Sequence, residues 1–323
     1  MKLFKLILLT SGLFWSVITA GVSQQIPQFS QYMFNPVYIN PAYAGYKQHL
    51  YLQSYYRKQW TGITGSPETF AVAGDALLEE SRLGIGGQVM ADRIGAQRTT
   101  AVYGNLSYHL QLSDTRFLSF GSAVGLVNSS LDGAMLNPGV DDDPAIATGK
   151  EQVFYPDLKI GLFLYDEYYF LGVSADQMIS SFLDLDKGDK MIQPVPHMYL
   201  SGGLLLDLSN SLSLTPSFMY MDDFKAPSRL DLNASLVIND AVWLGGGYRM
   251  GIHMPGREIQ DGLSKSAAVI AMVQVLIRQS LRLGYAYDHN ISGLSVKDFS
   301  SHDISISFLF PPKRVRLVSP RYF

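Results

Sequence analysis

The chain has 323 residues, of which 16% are charged, with a formal net charge of -3 and no cysteine. The lack of a basic excess argues against nucleic-acid binding as the main role, and the lack of thiols excludes disulfides, thiolate zinc sites and cysteine nucleophiles. A charged fraction well below the roughly 25% of soluble domains, beside 12% aromatic residues, suits a barrel with aromatic girdles in an outer membrane.

Lys2 and Lys5 precede an apolar run over 6–20, and Gly21-Val22-Ser23 is a small-x-small triplet. Residues 1–23 therefore read as a cleavable signal peptide, with Gln24 the first mature residue. The alternative, an uncleaved helical anchor, meets a run shorter than the roughly 20 residues that a span requires. Residues 24–47 contain Pro27, Pro36 and Pro41 and show no sustained alternation, so they form an irregular leader.

Period-two alternation then takes over. Leu212, Leu214, Pro216, Phe218 and Tyr220 alternate with Ser211, Ser213, Thr215, Ser217 and Met219, and Leu230, Leu232, Ala234, Leu236 and Ile238 follow the same rule. Strands are predicted at 49–60, 67–78, 82–93, 98–110, 116–129, 152–165, 168–176, 197–208, 211–221, 229–238, 241–251, 265–277, 281–288 and 302–310. That is fourteen, an even number. The connections at 79–81, 111–115, 166–167, 209–210, 239–240 and 278–280 are short, and most of the others are longer, above all 130–151, 177–196, 252–264 and 289–301. Short periplasmic turns and long outer loops are the rhythm of a bacterial barrel. The expected fold is all-β: a transmembrane up-and-down antiparallel β-barrel of about 14 strands over 48–311, with a periplasmic tail at 312–323 and both termini in the periplasm.

A charge facing lipid near the midplane costs about 2–4 kcal/mol. Asp75, Asp92, Asp157, Lys159, Asp207, Asp231, Arg249 and Arg282 all fall opposite the large apolar series of their strands, which makes the polar face the lumen. A soluble sandwich would alternate too; signal peptide, low charge, even strand number and turn rhythm together favour the barrel.

Candidate chemistry is sparse. Asn105, Ser107 and His109 share one face of a strand, but the strand rise sets Ser107 and His109 nearly 7 Å apart, too far for a nucleophile–base hydrogen bond without a bend. Asp141, Asp142 and Asp143, and Asp184, Asp186 and Asp189, are loop carboxylates without the spacing of a calcium-binding EF-hand. Gly245-Gly246-Gly247 lies in a strand, where glycine permits curvature or close approach, not phosphate binding. Asp288-His289-Asn290 and Ser301-His302-Asp303 resemble catalytic lettering, yet adjacent strand residues point to opposite faces. No catalytic, cofactor or metal site is expected.

The leader carries a resemblance. Gln28-Phe29-Ser30-Gln31-Tyr32-Met33-Phe34-Asn35-Pro36, continuing through Asn40-Pro41-Ala42-Tyr43-Ala44-Gly45, is similar to the N-terminal signature of the PorP/SprF family of type IX secretion outer-membrane proteins. Arg57-Lys58-Gln59-Trp60, 62–69, Tyr287-Asp288-His289-Asn290-Ile291-Ser292 and Ser301-His302-Asp303-Ile304-Ser305-Ile306 extend it across the mature chain. The resemblance implies a barrel that assists secretion or surface attachment of large adhesin-like proteins in Bacteroidetes and, in some members, gliding motility. Implied partners are secreted proteins with type IX C-terminal sorting domains, periplasmic secretion-motor or peptidoglycan-linked proteins, and outer-membrane lipid. The family motif makes Gln28, Phe29, Ser30, Gln31, Tyr32, Asn35, Pro36, Asn40, Pro41, Ala42, Tyr43, Gly45 and Trp60 the candidate partner-binding residues.

Three functions compete. A protein-binding accessory barrel would contact cargo through the loops at 130–151 and 177–196, with the leader folded into the lumen or its periplasmic mouth. A passive porin or small-solute transporter would use the polar lumen as a hydrated path. An outer-membrane enzyme would need Ser107 or His109.

Overall fold

The computed structural model describes residues 29–78, 80–136, 149–179, 182, 194–224, 227–252, 267–291 and 299–310. The expected signal peptide, Gln28, the loop aspartates at 141–143, 184, 186 and 189, and the C-terminal tail lie outside the described residues.

Fifteen strand segments make one sheet: β1 Tyr51–Lys58, β2 Glu68–Leu78, β3 Leu83–Ile94, β4 Gln97–Gln111, β5 Phe117–Asp132, β6 Lys150–Tyr165, β7 Tyr169–Asp176, β8 His197–Leu204, β9 Leu206–Ser209, β10 Leu212–Asp222, β11 Ser228–Ile238, β12 Val242–Ile252, β13 Ala267–Ile277, β14 Leu281–Asn290 and β15 Ser300–Leu309. Sequential neighbours pair antiparallel, and β15 pairs β1 from Tyr51–Leu309 to Lys58–His302, so the sheet closes on itself. Closure removes the unpaired edges that an open sheet would leave in lipid. β8 and β9 both pair with β10 and form one stave interrupted at Leu205, giving fourteen staves. Leu205 is buried and packs with Tyr43, Tyr46 and Phe163 inside the barrel.

The alternation that makes these segments strands also sorts their side chains. Phe70, Val72, Val102, Leu106, Val124, Leu126 and Phe154 are exposed on the outer wall. Asp75, Asp157, Lys159, Asp231, Arg249 and Arg282 are buried inside, as the charge argument requires. Asp92, half-buried, pairs with the buried Thr69, and Asp207, though exposed on β9, pairs with the buried Ser213, whose hydroxyl donates to it at 2.8 Å, so both take the inward face as well.

The two barrel ends differ. Links at 79–82, 112–116, 166–168, 210–211, 239–241 and 278–280 gather at one end, called here the short-turn end. Backbone pairing carries β5 to Asp132 and starts β6 at Lys150, so the long link expected over 130–151 is trimmed from both sides. At the long-loop end two links are short: Gly95-Ala96 joins β3 to β4, with Gly95 at φ 57°, and 223–227 joins β10 to β11.

Candidate functional site

The lumen of the barrel holds the leader. Residues 29–46 run lengthwise inside the lumen, and every one of them but the half-buried Pro36 is buried. The segment contains no Asp, Glu, Lys, Arg or His. Tyr32, Tyr43 and Tyr46 are buried, and their phenols are neutral at ordinary pH. A neutral plug brings no uncompensated charge into the interior. Its backbone is turned by two short 3-10 turns, Pro36–Tyr38 and Pro41–Tyr43, each with proline at its start, where the missing N–H is not needed. The Asn40 side chain caps the second by accepting the Ala42 amide at 2.9 Å.

At the long-loop end Ser30 sits within a buried ionic network. Its amide donates to Asp303 Oδ2 at 3.0 Å and its hydroxyl to Asp288 Oδ2 at 2.7 Å, while Arg57 Nη1 and Arg249 Nη2 each donate to Ser30 Oγ at 2.8 Å. Arg57 also pairs with Asp288 at 2.8 Å and with Asp303. Arg249 pairs with Asp288 at 2.6 Å and Asp231 at 3.1 Å, and Arg229 meets Asp231 at 3.0 Å. Three guanidinium groups balance three carboxylates, which is how a lumen can bury six charges without a large net cost.

Deeper, Gln31 Oε1 accepts from Gln274 Nε2 at 3.0 Å and from Ser305 Oγ at 2.7 Å. The Tyr32 hydroxyl lies 3.0 Å from that of Ser217. Phe29 packs on Tyr55 with ring centres 4.9 Å apart, and the Arg282 guanidinium lies 5.1 Å from the centre of the Phe34 ring and 4.8 Å from that of Trp243. On the other wall Asn40 Nδ2 donates to the carbonyls of Leu162 at 2.9 Å and Val173 at 3.3 Å, Ser174 Oγ donates to Ile39 O at 3.0 Å, and Tyr43 stacks on Phe163 at 3.7 Å. Asn35 is buried, and no described residue hydrogen-bonds its side chain.

Near the short-turn end the Gly45 amide donates to Asp75 Oδ2 at 2.8 Å. Gly45 has φ 79°, and a Cβ added there would lie 2.8 Å from the Gly84 Cα. The leader and the wall thus touch backbone to backbone. At Gly121 a Cβ would lie 2.2 Å from the Ala42 nitrogen, so only glycine admits the second 3-10 turn.

The geometry of Ser107 and His109 differs from the expectation of nearly 7 Å. Ser107 Oγ is 3.1 Å from His109 Nε2, because both side chains lean onto one acceptor, the Ala44 carbonyl, at 2.6 and 2.8 Å. His109 Nδ1 is 3.0 Å from the Tyr165 hydroxyl. With Nε2–H donating to Ala44, the basic lone pair faces Tyr165 and not Ser107. The pair is therefore a clamp on the leader instead of a nucleophile and its base. Among the described residues no group of His, Asp and Glu is arranged to hold a metal ion.

Of the candidates drawn from the leader motif, Phe29, Ser30, Gln31, Tyr32, Asn35, Pro36, Asn40, Pro41, Ala42, Tyr43 and Gly45 are brought together inside the barrel. Trp60 stands apart, exposed in the 59–67 link at the long-loop end. Sequence reasoning missed the leader's partners on the wall, Arg57, Asp288 and Asp303 among them. Strand parity marks their direction, but they come from β1, β14 and β15, and no local signal links them.

A closed antiparallel barrel with an apolar outer wall and a charged inner one is an outer-membrane β-barrel, here with its own leader in the lumen. The family model for type IX secretion system membrane protein PorP/SprF matches residues 21–308, and the chain belongs to that family. Among solved structures, the CymD monoaromatic hydrocarbon channel is similar with a TM-score of 0.53 and 11% identity, covering 91% of this chain and 96% of that one. A FadL homologue of Pseudomonas aeruginosa gives 0.48 and 11% identity, over 92% and 97%. At such identities the likeness to CymD concerns the fold alone. No curated protein matches the chain.

Proposed function

We propose that this PorP/SprF barrel is a closed scaffold that assists secretion or surface attachment of large adhesin-like proteins by binding them. The observation that carries the reading is the filled lumen. Full burial of a large apolar or aromatic side chain is worth about 1.5–3 kcal/mol, and the leader buries Phe29, Tyr32, Met33, Phe34, Val37, Tyr38, Ile39, Tyr43 and Tyr46. Expelling it would cost an amount comparable with the whole stability of a typical domain, about 5–15 kcal/mol. That disfavours the porin reading, in which solute would cross the same space.

Cargo with a type IX C-terminal sorting domain would then dock at the long-loop end, and periplasmic secretion-motor or peptidoglycan-linked partners at the short-turn end. β15 ends at Leu309 beside the short turns, which supports a periplasmic C-terminus. Phe29, the first described residue of the leader, lies near the opposite mouth. No catalysis is proposed, since Ser107 and His109 are engaged with Ala44. Deleting the gene should leave adhesin cargo unsecreted or unattached, measured by surface immunolabelling of cells and by cargo in the medium. Normal display in the deletion strain would overturn the reading.

A further inference from the structure

Outward-facing charge is concentrated on one side of the barrel at the long-loop end. Lys58, Glu68, Arg93 and Arg98 are directly paired from strand to strand across β1, β2, β3 and β4. They lie on the outward parity of their strands, and Arg93 and Arg98 are exposed. Two rows nearer the midplane the same face presents Val72, Val89 and Val102, which are hydrocarbon-facing residues. The charges therefore sit just past one edge of the apolar band, at headgroup level.

Glu68, directly opposite both Lys58 and Arg93, is one carboxylate against three cations. It accepts from the Tyr56 hydroxyl at 2.6 Å and from Lys58 Nζ at 3.3 Å, on the side away from Arg98. Among the described residues neither Arg93 nor Arg98 has a carboxylate within ion-pair distance. Yet they stand directly opposite each other, an arrangement that destabilises a hairpin unless something lies between the two charges. Beneath them is a groove of about 400 Å³, lined by Tyr56, Phe70, Ala91 and Thr100, with Arg93 and Arg98 beside Glu68 and Asp92. Small side chains at Ala91 and Thr100 form its floor, and aromatic rings flank it on the β1–β2 side.

We propose that Arg93 and Arg98 bind a phosphate on the headgroup of an outer-leaflet glycolipid, whose sugar ring and first acyl carbons occupy the groove over Phe70 and Ala91. Guanidinium forks match phosphate oxygens in pairs, and a dianion between the two arginines converts their repulsion into attraction. The apolar edge of the groove selects a lipid over free phosphate. The outer-leaflet assignment rests on the reading that the long-loop end faces outward. Binding measured in detergent does not depend on it, so a failure of the site and a failure of the orientation can be told apart.

The test uses the purified full chain in detergent, with native mass spectrometry and titration of bisphosphorylated lipid A, dephosphorylated lipid A, phosphatidylglycerol and inorganic phosphate. Lipid A should bind at least about tenfold more tightly than its dephosphorylated form, and Arg93→Gln with Arg98→Gln should remove that difference. Arg278→Gln, an exposed arginine at the short-turn end, should leave it unchanged. If the double variant does not fold, judged by heat-modifiable gel mobility, Arg93→Lys and Arg98→Lys replace it, and each should weaken binding by losing the fork. Equal binding of the two lipid A forms, or equal binding by wild type and variants, would overturn the site. Phosphatidylglycerol or inorganic phosphate binding as tightly as lipid A would overturn the glycolipid assignment.

Discussion

Ser30 is a small neutral residue, but its hydroxyl and amide touch Arg57, Arg249, Asp288 and Asp303 at once. Its surroundings obey the rule for buried ion pairs: complete, they are close to neutral in free energy, and broken, they are costly. Arg57→Ala leaves Asp288 with Arg249 alone and removes the guanidinium beside Asp303, so it should lower the unfolding free energy by about 3–5 kcal/mol, read by urea unfolding in detergent micelles. Asn40→Ala forfeits two donations to strand carbonyls and the Ala42 cap, and should cost about 1–3 kcal/mol in the same assay. Gly121→Val would drive a side chain into the Ala42 nitrogen. Unchanged stability in that variant would mean that the leader does not seat against β5 as described.

At the scale of elements, the leader and the strands obey different logics, and that explains what the sequence made legible. Strands announced themselves through period two, and the parity of Asp75, Asp157, Lys159, Asp231 and Arg249 gave the inner face, because each of those signals is local. The leader has no period, since its conformation is dictated by walls hundreds of residues away: Asp303 holds Ser30 and Leu162 holds Asn40. Proline at 36 and 41 marked irregularity without giving its path. Likewise Ser107 and His109 were misjudged in separation because strand rise ignores side chains that lean toward a shared acceptor, which here is the leader itself. If the leader fills the lumen, a thiol placed within it is hidden. The chain has no cysteine, so Gln31→Cys should resist a water-soluble maleimide in the folded barrel and react once it is denatured, scored by mass shift. Rapid labelling of the folded protein would contradict a seated leader.

For the whole molecule, family and fold agree on an outer-membrane barrel of the type IX secretion system, and the orientation can be read with the same thiol chemistry. Phe224 is 57% exposed at the long-loop end, and Asp240 lies in a short turn. On intact cells Phe224→Cys should label with a membrane-impermeant maleimide, whereas Asp240→Cys should label only after the outer membrane is permeabilised; the reverse pattern would invert the barrel. The central claim, that the protein is a filled scaffold and not a pore, is tested most directly by its conductance. Purified full-length protein inserted in planar bilayers should be silent under applied voltage, and steady open-channel current from the wild-type protein would contradict the account.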